Sequence, residues 1–153
     1  MNGRQLRNAL ARDQVTKRYF LGVYPSDRLP YKIDYGPRLL IANTDPHYMR
    51  GQHWIAMYIP RQGPIEFFDS FGHTPEHYNI NFVRFLQRMD RGIKYNDKIL
   101  QAKDSVMCGP YCLFYALHRC RGIPMDKIIS QFGQNRQYND AKVFQFIRRY
   151  CRL

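Results

Sequence analysis

Cys108 is followed by Gly109 and Pro110 and then by Cys112, Leu113, Ala116, Leu117 and Cys120, an apolar stripe at helical spacing. Pro110 fits the first turn of such a helix, where its missing N–H costs nothing, and Gly122 with Pro124 closes the far end. The Cys108 thiol is therefore expected at a helix start, where unpaired N–H groups and the helix dipole favour an anion. A thiolate is the form of cysteine that attacks. Such a nucleophile also needs a base within hydrogen-bond reach, a group that orients the base, and donors for the developing oxyanion. His53, Asp69 and Gln101 are the candidates, with the Gln101 amide N–H acting beside the backbone N–H of Cys108. Taken singly, each has an ordinary reading: a strand-end histidine, a turn aspartate, a loop glutamine, a buried inert thiol. That inert reading is kept for Cys112 and Cys120.

His53 and Asp69 are joined by the clearest hairpin of the chain, His53–Ile59 and Ile65–Asp69, connected across Pro60-Arg61-Gln62-Gly63-Pro64. A three-residue loop, Arg61-Gln62-Gly63 with Gly63 left-handed, makes paired positions sum to 124. His53 then faces Phe71, and Asp69 is its diagonal neighbour on the same side of the ribbon. An odd register would put the two on opposite faces.

The remaining elements frame that hairpin. Residues 3–12 are expected as a short helix with Leu6, Ala9 and Leu10 on one side, Tyr19–Tyr24 as a strand ending at Pro25, and Leu39–Ala42 as a buried strand. Phe82, Phe85, Leu86 and Met89 predict an amphipathic helix over roughly 77–90, stopped by Gly92. A last helix, about Asp140 to Tyr150, is expected to turn Val143, Phe144, Ile147 and Tyr150 inward. With 153 residues and no repeat or linker, 1–153 reads as a single domain.

Composition narrows the function. At 44% hydrophobic residues and 15% aromatic, the chain is too rich in core formers for disorder. Four unevenly spaced cysteines fit reduced thiols better than a disulfide framework, and no apolar run has the length of a signal peptide or membrane span. An intracellular, non-membrane protein is expected. Lys plus Arg number 24 against 12 Asp plus Glu, a net charge of +12 that predicts attraction to polyanions. The excess lies in segments 4–18, 84–103 and 136–152.

The set His53-Trp54, Asp69 within Glu66-Phe67-Phe68-Asp69-Ser70-Phe71-Gly72, Gln101 and Cys108-Gly109 resembles adenain, the adenovirus maturation protease family, with its relatives in Polinton (Maverick) elements and adintovirus-like viruses. Tyr19-Phe20-Leu21-Gly22 followed by Asp27-Arg28 and Pro30, Ala42-Asn43-Thr44, and Val143-Phe144-Gln145-Phe146-Ile147-Arg148-Arg149 carry the resemblance over nearly the whole chain from Tyr19. It implies an α+β fold, a mixed central β-sheet flanked by helices, related to papain-like cysteine proteases. It also implies His53 as general base, Asp69 as its orienting acid, Cys108 as nucleophile, and Gln101 with the Cys108 N–H as oxyanion hole. The substrates implied are viral precursor proteins cut around Gly-Gly or Gly-X pairs, in the virion or the infected cell and its nucleus, by a monomer. No metal or small-molecule cofactor is implied. DNA and a viral activating peptide are, the peptide held noncovalently because no cysteine precedes Cys108.

Two other readings use the same residues. A protease that removes ubiquitin-like modifiers shares the order of the catalytic residues and a substrate ending in Gly-Gly. A basic nucleic-acid-binding module without catalysis would leave Cys108, Cys112, His118 and Cys120, with His73 and His77, as metal ligands, but their spacing matches none of the usual zinc patterns.

Overall fold

The computed structural model describes residues 1–151. Five strands, β1 (Phe20–Pro25), β2 (Arg38–Asn43), β3 (Trp54–Ile59), β4 (Ile65–Phe68) and β5 (Ile93–Tyr95), lie in sequence order in one sheet. β1 with β2 and β4 with β5 are parallel, while β2–β3 and β3–β4 are antiparallel. The helices are α1 (Gly3–Arg12), α2 (Ile80–Met89), α3 (Cys108–Arg119), α4 (Met125–Ile129) and α5 (Arg136–Cys151).

Both faces of this sheet are covered, which is why β2 reads as an almost unbroken apolar run. Leu39, Ile41, Ala56, Tyr58 and Phe68 face one core with α1, α3, α4 and α5. Their alternating neighbours Leu40, Ala42, Ile55, Met57, Ile65 and Phe67 face a second core with Phe82, Phe85, Leu86 and Met89 of α2. The mixed α+β architecture expected from the sequence is the one observed.

The hairpin has the expected register. Ala56 pairs with Phe68, Met57 with Phe67 and Tyr58 with Glu66, each pair summing to 124, and Gly63 is left-handed at φ 95°.

Four expectations need correction. α2 begins at Ile80 because Asn79 caps it, its side chain accepting from the Asn81 N–H; the preceding Pro75–His77 is a separate turn of 3-10 helix. It ends on Asp90, left-handed at φ 51°, and not on Gly92, whose turn instead leads into β5. α5 starts a turn early, at Arg136. Its inner face is Asn139, Val143 and Ile147, while Phe144 and Tyr150 are exposed. The heptad-like spacing admitted both faces, and contact with α3 selects Val143 and Ile147. β5 and α4 are too short to have carried a periodic signal.

α3 is anchored to the sheet by a buried polar cluster. Glu66, on the α3 side of β4, accepts from the Tyr115 hydroxyl at 2.6 Å and from Arg119 Nε and Nη2 at 3.0 Å each, while the Arg119 guanidinium lies 4.1 Å from the Tyr58 ring centre. Arg121 and Asp13 join the far end of α3 to the end of α1.

Candidate active site

Asp69 follows β4 directly, and His53 immediately precedes β3. The even register brings them together: His53 Nε2 lies 2.6 Å from Asp69 Oδ1, with Asp69 fully buried and His53 nearly so. Asp69 is held by more than its histidine. Its carboxylate accepts from the backbone N–H groups of Phe71 and His73, both at 3.0 Å, and from the Tyr78 hydroxyl. Its own backbone is clamped by Asn96, whose side chain accepts from the Asp69 N–H and donates to the Asp69 carbonyl. The turn that follows needs Gly72. Its φ is 73°, and a Cβ there would meet the Lys98 carbonyl oxygen at 3.0 Å.

Cys108 is the first residue of α3, half-buried, beyond a Met107 cap that makes no side-chain hydrogen bond. The helix N-terminus, the backbone N–H groups of Trp54 and Gly109 and the neighbouring His53 ring all favour a negative sulfur. With Nε2 taken by Asp69, Nδ1 is the ring nitrogen left for the thiol. The ring is held between Phe71 and Tyr78, with centroids 5.0 and 5.5 Å away.

These contacts shift three protonation equilibria. Burial disfavours the charged His53 ring, but hydrogen bonds to Asp69 and Cys108 more than offset it, and the pKa is raised to about 9. For Cys108, burial opposes the thiolate, yet the His53 hydrogen bond and charge hold the thiol below its usual range. Burial likewise opposes the Asp69 carboxylate, which its hydrogen bonds nonetheless keep low. The arrangement therefore supports a thiolate–imidazolium pair at neutral pH. Cys112 behaves oppositely: fully buried, its thiol is pushed well up.

Gln101 is buried in the segment between β5 and α3. The Tyr111 hydroxyl and the Asn139 amide both donate to the Leu100 carbonyl, and the Leu100 and Gln101 N–H groups both donate to the Ser70 carbonyl. The structure thus brings His53, Asp69 and Cys108 together through the β3–β4 hairpin and the start of α3, and ties Gln101 to Ser70, the neighbour of Asp69. Sequence reasoning missed Tyr78, Asn96 and Ser70; only Ser70, adjoining Asp69, lay within a motif it used.

Two grooves of about 490 and 530 Å³ flank this region. One is lined by Trp54, Gly51, Asn43 and Arg50, the other by Val106, Met107, Pro110, Phe144 and Ile147. Among the described residues no group of three or more His, Cys, Asp or Glu is placed to hold a metal ion, and no helix is long and apolar enough to cross a membrane.

No protein-family model matches the chain. Individual proteins do. The putative thiol protease of Acanthamoeba polyphaga mimivirus is 31% identical over 114 residues, 69% of this chain and 37% of the relative. The SUMO-1 cysteine protease of African swine fever virus, isolate Pig/Kenya/KEN-50/1950, is 28% identical over 115 residues, 69% of this chain and 40% of the relative. The chain is similar to viral thiol proteases. It spans about two fifths of the length of these curated relatives. The fold agrees: the crystal structure of the African swine fever virus protease superposes with a TM-score of 0.50 at 23% identity, over 69% of this chain and 43% of that one. The central domain of the uncharacterized Lpg1148 protein of Legionella pneumophila matches with a TM-score of 0.52 at 12% identity, over 98% of both chains.

Proposed function

We propose that residues 1–153 form an adenain-like cysteine endopeptidase domain that cuts viral or mobile-element precursor proteins at Gly-Gly or Gly-X pairs. The observation that carries this reading is the 2.6 Å His53–Asp69 bond beside a Cys108 thiol at a helix start. His53 takes the Cys108 proton, and the thiolate adds to the scissile carbonyl. The resulting oxyanion accepts from the Cys108 backbone N–H and Gln101. Collapse expels the amine, protonated by the His53 imidazolium, and leaves a thioester on Cys108. Water, deprotonated by His53, hydrolyses that thioester and restores the thiol. Asp69 orients the ring and stabilises its charge throughout. No step needs a metal.

The test is cleavage of a fluorogenic peptide containing Gly-Gly. Cys108→Ala should abolish turnover while leaving the fold intact, His53→Ala should be nearly as damaging, and Asp69→Asn should leave residual activity. Gln101→Ala should lose about 10² in rate. Activity retained by Cys108→Ala would refute the assignment.

A second reading, removal of ubiquitin-like modifiers, is favoured by one relative being a SUMO-1 cysteine protease. It predicts faster release of a folded modifier from its conjugate than cleavage of a free Gly-Gly peptide. For the maturation reading, the setting is the virion or infected-cell nucleus, the enzyme is a monomer, and DNA and a noncovalent viral peptide act as activators.

A further inference from the structure

A side-chain amide offers an oxygen and a nitrogen of nearly the same shape, so an oxyanion-hole glutamine works only if something dictates which end faces the substrate. Gln101 is 1% exposed, and both ends of its amide are engaged. One end lies 2.8 Å from the Ser105 carbonyl oxygen, which can only accept, so that end must be Nε2. The other end lies 2.7 Å from the hydroxyl of Ser70, itself 1% exposed. The hydroxyl must therefore donate to Oε1. Nε2 carries two hydrogens, and Ser105 takes one.

Building on the oxyanion reading of Gln101, we propose a further role for its neighbour: the Ser70 hydroxyl is a positioning group that locks the Gln101 amide so that the second Nε2 hydrogen stays available to the substrate carbonyl oxygen. The same residue sets the height of the Gln101 backbone, because its carbonyl accepts from the Leu100 and Gln101 N–H groups at 2.9 and 3.1 Å. Ser70 also adjoins Asp69, so one dipeptide orients both the base and the oxyanion donor. Without the hydroxyl, Oε1 loses its donor in a buried site, and the amide gains freedom to rotate its nitrogen away from the reacting carbonyl.

The test compares Ser70→Ala, Gln101→Ala and the double variant in the same chain. Three readouts are taken: peptide cleavage, inhibition by a peptide aldehyde whose hemithioacetal oxygen occupies the oxyanion position, and alkylation of Cys108 by iodoacetamide. Alkylation needs the thiolate but no oxyanion hole. Ser70→Ala should lower kcat about tenfold with KM within twofold, weaken the aldehyde comparably, and leave the alkylation rate and its pH profile unchanged. In the Gln101→Ala background it should cost less than twofold more, since the amide it orients is gone. Ser70→Cys, close in size but a poor donor, should show the same coupling and covers the case in which alanine disturbs packing. Multiplicative losses in the double variant, or an equal loss in alkylation, would overturn the role of Ser70 while leaving Gln101 in place. A loss under threefold for Gln101→Ala alone would instead remove the oxyanion reading itself.

Discussion

The Tyr78 hydroxyl donates at 2.5 Å to Asp69 Oδ2, the carboxylate oxygen that His53 does not use, while the Tyr78 ring lies against the His53 imidazole. One residue thus touches both Asp69 and His53. Burial and the Asp69 charge push the Tyr78 hydroxyl pKa up, so it remains a donor throughout the working pH range.

Tyr78→Phe should keep the ring contact and remove only the donor. The Phe71 and His73 N–H groups continue to hold the carboxylate, so the expected loss in kcat/KM is about tenfold, well short of that for His53→Ala. The carboxylate charge then bears more fully on His53, and the alkaline limb of the pH profile should move up. A loss matching that of His53→Ala would mean that the hydroxyl does more than position Asp69.

The directions of the shifts set the shape of that profile. In the proposed mechanism the active form is the Cys108 thiolate with protonated His53. Above about 9 His53 loses its proton, and activity falls. On the acid side the thiolate is lost as pH drops through the lowered pKa of Cys108. Stability follows the same signs: the His53 contribution is complete below its ordinary 6.5 and fades as pH rises through about 9, whereas that of Asp69 fades as pH falls through its lowered value. A bell-shaped kcat/KM with its upper limb near 9 is expected, whereas the rate of Cys108 alkylation, which needs only the thiolate, should share the acid limb and not fall at the upper one. An upper limb near 6.5 would show that His53 is not paired as described.

Legibility of these features from sequence follows the range of the interactions behind them. The hairpin was readable because loop length and alternation are local, and the 124 register then placed Asp69 on the side of His53. The start of α3 was readable because Gly109-Pro110 precedes a periodic stripe. Tyr78, Asn96 and the Glu66–Arg119 pair were not, since each meets its partner across 9, 27 or 53 positions and carries no periodic mark. The exposed face of α5 misled for the opposite reason: Phe144 and Tyr150 have helical spacing, yet α3 meets only the neighbouring stripe.

Glu66 makes a stability prediction independent of catalysis. It is 6% exposed and accepts from both Tyr115 and Arg119, so Glu66→Ala leaves a partly buried guanidinium and a buried hydroxyl without their acceptor. A loss of about 3–5 kcal/mol is expected by urea denaturation. Because α3 carries Cys108 at its other end, activity per folded molecule should fall as well. Glu66→Gln, which retains an acceptor for Tyr115, should cost less. Equal losses for the two variants would place the stabilisation in packing and not in the ion pair.

DNA binding is the prediction on which the basic surface turns. The three cationic segments do not share one face: α1 and α5 lie on the α3 side of the sheet, and α2 lies on the other. Arg152, counted in the last segment, is outside the described residues. Arg4, Arg7 and Arg12 of α1 and Arg148 and Arg149 of α5 are exposed, and Arg12 and Tyr150 line a common groove, so phosphate contacts are predicted on the α1–α5 side. About five phosphate contacts would give a log–log salt slope of roughly −4 to −5 on random duplexes, without sequence preference. Arg12→Glu or Arg149→Glu should weaken binding uniformly and reduce the slope by about one each, whereas Arg88→Glu on the α2 side should change neither. Fluorescence anisotropy from low to moderate salt measures all of these. An absence of binding at low salt would assign the charge to solubility or to an acidic protein partner. Binding that leaves peptide cleavage no faster would make DNA a tether that gathers the enzyme and its substrates, and not an activator.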